Sequence, residues 1–149
     1  MKLIEKNGFF NIDYGAPLPI IISSDNDLYI SFYVDDSSET EFKEKRLVMK
    51  FNLCLKYTFG MPGNETIYGH SYSKLGLESG AFYELKNSDL IEQLKEIDKI
   101  HSYYNHDKWK MYKHYILTFH DNMFECVAID FEILKEDESQ LKEILNNIL

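Results

Sequence analysis

The stretch that most constrains the fold runs from His114 to Leu134, HYILTFHDNMFECVAIDFEIL. Tyr115, Ile116, Leu117 and Phe119 precede His120-Asp121-Asn122, and Phe124, Val127, Ile129, Phe131 and Ile133 follow. β-Branched and aromatic runs on either side of an Asp-Asn pair have the composition of a β-hairpin, because Asp and Asn tolerate the left-handed backbone of a short turn. Side chains alternate between faces along a strand, so closing the turn with two or four loop residues leaves the partition of side chains unchanged. One face takes His114, Ile116, Thr118, His120, Glu125, Val127, Ile129 and Phe131. The other takes Tyr115, Leu117, Phe119, Phe124, Cys126, Ala128, Asp130 and Glu132. Both faces are apolar near the middle, which predicts a hairpin covered on both sides and central in its sheet.

Other segments add to that sheet. Ile20-Ile21-Ile22-Ser23, a turn at Asp25-Asn26-Asp27 and the alternating run Leu28 to Val34 predict a second hairpin. Asp35 to Glu41 reads as an exposed acidic loop. From Arg46 to Phe59 the period is two, with Leu47, Met49, Phe51, Leu53, Leu55, Tyr57 and Phe59 on one face. That run exceeds the usual strand, so it is either one bent strand or two joined across Asn52. Gly60-Met61-Pro62-Gly63 ends it, and Ile67 to Gly80 reads as a long loop. After a short strand at Ala81 to Lys86, any of Asn87, Ser88 and Asp89 can cap a helix, and Asp89 with Glu92 has capping-box spacing. Leu90, Leu94 and Ile97 recur at helical intervals, and a helix continuing to His101 turns that ring towards the core. A last helix from Glu138, capped near Asp137 or Ser139, carries Leu141, Ile144, Leu145, Ile148 and Leu149 on one stripe. The expected fold is therefore α+β: a mainly antiparallel, curved β-sheet built from hairpins, with one internal helix at about 89–101 and a C-terminal helix at about 138–148 packed on it.

A chain of 149 residues fits a single domain spanning 1–149, and at that size about 68–70% of the unfolded surface is buried, enough for a core without staples. The formal net charge of −9 repels phosphate backbones and anionic lipid, which argues against nucleic-acid and membrane partners. It favours a protein partner with a basic surface. Cys54 and Cys126 show no metal-ligand spacing, which fits two reduced thiols in a cytoplasmic protein. No apolar run is long enough to span a bilayer, and MKLIEKNGFF is too polar for a signal peptide, so the Asn64-Glu65-Thr66 sequon reads as incidental.

Several segments carry a resemblance. They are Pro19-Ile20-Ile21-Ile22 leading to Tyr29-Ile30-Ser31-Phe32-Tyr33-Val34, Phe59-Gly60 to Leu77 with Gly69-His70, and Phe82-Tyr83-Glu84 with Asn87-Ser88. Above all there is His114-Tyr115-Ile116 with Thr118-Phe119-His120-Asp121 and Phe124-Glu125-Cys126. Over most of residues 17–130 the chain resembles an uncharacterised bacterial protein family marked by a TFHDxxFEC segment. The resemblance implies a single bacterial domain and carries over no activity, cofactor or site.

Five histidines invite an acid-base or metal reading. His120 and Glu125 share a hairpin face, and a four-residue loop that set them opposite one another would form a pair able to bind a metal with a third ligand such as His70 or His101, or to act as an oriented general base. The bland alternative is an exposed cross-strand pair with Asp121 closing the turn. Cys126 falls on the face away from His120, against a Cys-His nucleophile couple. His101 reads as a core histidine. The locally basic, aromatic segment SYYNHDKWKMYK offers His106, Lys108, Lys110, Lys113 and His114 for a small anion, with Trp109 or Tyr112 as a stacking surface, against the alternative of a charge-balanced loop. The candidate sites are thus His70, His120 and Glu125 for catalysis and His101, His106, Trp109 and Asp121 for ligand binding. No paired-His zinc motif, phosphate-cradling loop, nucleophile elbow or dinucleotide fingerprint is present, so neither metal nor cofactor is expected. The reading favoured by size and charge is a non-catalytic protein-binding module, for which an immunity protein blocking a basic toxin is one fitting class. Its rival is a small hydrolase or ligand- or metal-binding enzyme using His70, His120 and Glu125.

Overall fold

The computed structural model describes residues 1–25, 27–35, 45–134 and 138–149. Asn26 of the expected turn, residues 36–41 of the expected acidic loop, and the cap expected at Asp137 or the Ser139 side chain lie outside what is described. The described strands are β1 (Lys2–Glu5), β2 (Ile20–Ser23), β3 (Asp27–Val34), β4 (Lys45–Asn52), β5 (Lys56–Gly60), β6 (Phe82–Lys86), β7 (Lys113–Thr118), β8 (Met123–Ala128) and β9 (Asp130–Leu134). Two helices join them, α1 (Asp89–Asp98) and α2 (Glu138–Ile148). No helix among the described residues is long and apolar enough to cross a membrane.

The class is α+β and the strands are antiparallel, but they form two sheets rather than one. The first has the order β1-β6-β7-β8-β5 and the second β2-β3-β4-β9. The division occurs at a corner that two chain segments turn together. Asn52 pairs with Asp130 in the second sheet, whereas Lys56 pairs with Val127 in the first. Three residues, Leu53, Cys54 and Leu55, face only Ala128 and Ile129 across that step, so one strand carries an extra residue. Such a bulge bends a ribbon, and Leu53 takes the left-handed backbone (φ 49) that helps it do so. The corner stays hydrogen-bonded: Ile129 N–H donates to Asn52 O (3.0 Å), Leu55 N–H to Val127 O (2.9 Å), and Asn52 Nδ2 to Asp130 Oδ1 (2.6 Å). The long alternating run is therefore two strands joined just after Asn52.

The main core lies between the sheets. Phe32, Met49 and Phe51 from the second sheet meet Phe82, Tyr115, Leu117, Phe124 and Cys126 from the first and Phe119 from the turn after β7. Ring centroids of Phe51 lie 5.5 Å from both Tyr115 and Phe124, and Phe32 lies 5.2 Å from Phe119, distances at which aromatic pairs attract. Phe131 was expected on the His114 face. Instead it packs on Phe82 and Tyr115 inside the sandwich, because the corner at Ile129 has already carried β9 into the other sheet.

The hairpin β7–β8 is buried from both sides, as its two apolar faces require. Thr118 pairs with Met123, leaving a four-residue loop at 119–122 that Phe119 N–H closes on Asn122 O. On its outer face Ile116 and Met123 lie under two short 3-10 helices, Ile67–Gly69 and Ser71–Leu75, while Val127 lies under Trp109, Tyr112 and the α1 side chains Leu90, Ile91 and Leu94. Leu141 and Ile144 of α2 are half-buried, Leu145 is exposed, and none of them belongs to these three clusters.

Candidate functional site

On the outer face of the first sheet a chain of polar side chains runs from the start of α1 to the edge strand β5. His114 is the centre of it. Its Nε2 lies 2.7 Å from Glu125 Oε2, and its Nδ1 lies 2.6 Å from Ser88 Oγ. An ionised carboxylate only accepts, so Nε2 carries the hydrogen and, in the neutral ring, Nδ1 accepts from the Ser88 hydroxyl. Ser88 also accepts from Ile91 N–H at 3.2 Å, making it the N-cap of α1. The remaining Glu125 oxygen accepts from Thr58 Oγ1 on β5 at 3.2 Å. Burial alone would raise the Glu125 pKa, but the hydrogen bond and charge of His114, the Thr58 hydroxyl and the charge of His70 together hold it below its ordinary 4.5.

His70 stands at the same seam. Its Nδ1 accepts from Tyr72 N–H at 3.0 Å, which fixes Nε2 as the hydrogen-bearing nitrogen of the neutral ring. The Tyr72 ring packs 4.8 Å from His70 and edge-on to His114 at 6.0 Å. Its hydroxyl donates to Asp89 Oδ1 at 2.6 Å, and burial with that partner pushes the phenol well above its usual range.

Ser88, His114 and Glu125 have the residue types of a nucleophilic triad, yet they do not form one. The Ser88 residue is 3% exposed and His114 is 0% exposed, so the hydroxyl cannot reach a substrate carbonyl, and it is already committed to capping α1. The chain ties the first turn of α1 through β7 and β8 to β5, and only its Glu125–Thr58–His70 end reaches solvent.

The residues singled out from the sequence scatter. The observed register sets Glu125 opposite Ile116, not opposite His120. His120 sits in the turn with its Nδ1 2.9 Å from Asp121 Oδ1 and its ring edge-on to Tyr14. Of the three acid-base candidates, His70 reaches Glu125 only through its charge, with no hydrogen bond between them, and His120 lies elsewhere. His101 does not face the core: α1 ends at Asp98, and His101 lies exposed in the following turns, accepting from Tyr103 N–H. Trp109 is no stacking platform. It is buried, with its Nε1 donating to Asp98 Oδ2 at 2.9 Å. His106 is exposed and contacts the Tyr104 hydroxyl. Among the described residues no group of three or more His, Cys, Asp and Glu side chains could hold a metal.

Sequence reasoning missed the His114–Glu125 pair, though a signal was present. Both residues fall on one hairpin face, and with Thr118 facing Met123 they become diagonal neighbours. Comparison of the chain with protein-family models, with curated proteins and with solved structures gave no match.

A second feature lies on the flank where β5 ends the first sheet. Tyr57 and Phe59 oppose Cys126 and Phe124, so they point towards the second sheet, but they are 40% and 42% exposed. Leu53, Leu55, Met61 and Leu18 are exposed beside them. A cavity of about 480 Å³ opens here, lined by Pro17, Leu18, Ile20, Arg46, Phe59 and Asp121 among others. Its wall is built by Arg46, which stacks 4.3 Å over Tyr33 and donates to Ser31 O (2.9 Å) and Leu18 O (3.0 Å). Asp121 leaves an exposed carboxylate at the mouth.

Proposed function

We propose that this protein is a non-catalytic protein-binding module whose partner lays a basic, extended segment along the β5 flank. The observation that carries this reading is the row Leu53, Leu55, Tyr57 and Phe59 left exposed on and beside a terminal strand. Contiguous exposed apolar surface is uncommon on a protein that works alone, and the outer edge of β5, which pairs with no strand among the described residues, offers backbone donors and acceptors to an added strand. The adjoining cavity takes an apolar anchor against Leu18 and Phe59, and the Asp121 carboxylate at its mouth takes a Lys or Arg. The net charge of −9 speeds the approach of such a partner and disfavours nucleic acid. This reading sets the protein in the cytoplasm, and an immunity protein that blocks a basic toxin remains the class it fits. The bacterial family resembled by the TFHDxxFEC segment belongs to the same proposal.

The test is an extended peptide alternating Lys with large apolar residues, titrated into the isotopically labelled protein. Chemical-shift changes are expected at the amides of Lys56 to Gly60 and are expected to vanish in the doubly substituted Tyr57→Lys/Phe59→Lys variant. Shifts confined to other strands, or unchanged in the variant, would reject the flank. The second reading, a small hydrolase, rests on the charge of His70 that helps hold the Glu125 carboxyl below its ordinary range. It predicts ester or amide turnover that His70→Asn abolishes.

A further inference from the structure

The chain's two cysteines, 72 positions apart, meet at the corner between the sheets. Cys54 occupies the bulged link between β4 and β5, and Cys126 lies on β8. The neighbouring register brings their segments side by side: Leu55 N–H bonds Val127 O at 2.9 Å and Tyr57 pairs with Cys126, which leaves Cys54 in the link facing Ala128 and Ile129, diagonal to Cys126. Cys54 packs on the core cluster to which Cys126 belongs, and its thiol donates to Lys56 O at 3.4 Å. Their surroundings differ sharply. Cys126 is 0% exposed, whereas Cys54 is half-buried and lines a cavity of about 200 Å³ with Ser23, Ser24, Asp25, Asp27 and Lys56 among its walls.

We propose that Cys54 and Cys126 form an oxidisable dithiol, in which Cys54 reacts with a small hydroperoxide entering that cavity and Cys126 resolves the product to an intrachain disulfide. The asymmetry of the two sites sets the order. A hydrogen bond from the Cys126 thiol stabilises the Cys54 thiolate and lowers its pKa despite burial, while burial pushes the Cys126 thiol well up. The thiolate is the nucleophile, so Cys54 attacks first. Its sulfur takes an OH from the hydroperoxide ROOH and expels the alkoxide, which picks up a proton to leave as ROH; the sulfur is oxidised to sulfenic acid and the peroxide is reduced. The Cys126 sulfur then attacks the Cys54 sulfur, forming the S–S bond, and the departing hydroxide leaves with the Cys126 proton as water. Two thiols and one ROOH give one disulfide, one ROH and one water. Residues 53 and 54 of the link lie outside both sheets' ladders, while Leu55 stays bonded to Val127 O, so the sulfurs close to bonding distance by adjustment at 53–54.

The experiment treats the folded protein with hydrogen peroxide and reads intact mass, peptide map and free thiols. The expected result is a mass lower by about 2 Da, a Cys54–Cys126 linked peptide, and loss of both thiols, all restored by dithiothreitol. Cys126→Ser is expected to stop at the sulfenic acid, trapped by dimedone on Cys54, and Cys54→Ser is expected to leave Cys126 as a thiol. Wild-type protein that accumulates sulfinic acid at Cys54 with Cys126 still reduced, or in which neither thiol reacts before unfolding, would overturn the proposal. The wild-type map decides the matter even if a variant fails to fold.

Discussion

Glu125 shows how one residue can link protonation to stability. It is held by His114, Thr58 and the charge of His70, and its pKa in the folded protein lies below the 4.5 of the unfolded chain. A depressed carboxylate contributes stability that is fully present above its unfolded pKa and fades as pH falls through the lower folded value. Urea titrations of the wild type and Glu125→Gln from neutral pH downward are therefore expected to differ most at neutral pH and to converge in acid; a difference independent of pH would show that the carboxylate's charge plays no part. Gly63 makes a prediction of another kind. A Cβ there would stand 2.7 Å from His120 O and 2.9 Å from Asp121 Cα, backbone atoms that cannot swing aside. Gly63→Ala is expected to cost about 1–3 kcal/mol of unfolding free energy in a denaturant titration, the usual range for forced overpacking. A substitution within about 0.5 kcal/mol of wild type would mean that the 119–122 loop gives way freely.

At the level of elements, α1 is fixed chiefly at its first turn. The helix has no fully buried residue, and Leu90, Ile91 and Leu94 only partly cover Val127 and Trp109. Ser88 holds its N-terminus to His114, so Ser88→Ala removes a cap worth about 0.5–2 kcal/mol and leaves a buried ring nitrogen unpaired at about 1–3 kcal/mol more. Hydrogen exchange is expected to accelerate across residues 89–94 while β8 stays protected; unchanged exchange would show that side-chain packing alone keeps the helix in place. Much of this element was legible in advance. Leu90 and Leu94 gave the helical period, and Ser88 was among the possible caps. The end was not, because Ile97 and His101 keep the apolar period although Ile97 stays exposed at 68%, and the last turn is held instead by Asp98 accepting from Trp109 Nε1. The β7–β8 hairpin was legible for the opposite reason: its alternation records two covered faces, and both are covered.

For the whole molecule, the corner decides what a sequence could and could not disclose. Period-two patterning runs unbroken from Leu47 to Phe59 and shows nothing at Leu53 to mark a change of sheet, since a bulge of one residue leaves no compositional trace. The same step conceals the meeting of Cys54 with Cys126 and moves Phe131 to the inner side. Joining the sheets also makes them interdependent. Trp109 reports on the outer face of the first sheet, and far-ultraviolet circular dichroism reports on both. Urea transitions by the two probes are expected to coincide; an earlier dichroism change would show the second sheet melting separately.

The Asn52–Asp130 bond spans 78 positions of sequence, which has a consequence for how the chain acquires its shape. Closing so large a loop brings an entropy loss before any reward from the packed interior, so the β7–β8 hairpin and α1 can organise locally while this junction waits for a rare encounter of distant segments. Refolding should then proceed on the millisecond-to-second scale typical of non-local β-topologies, and the nascent chain leaves this junction open until Asp130 has been synthesised.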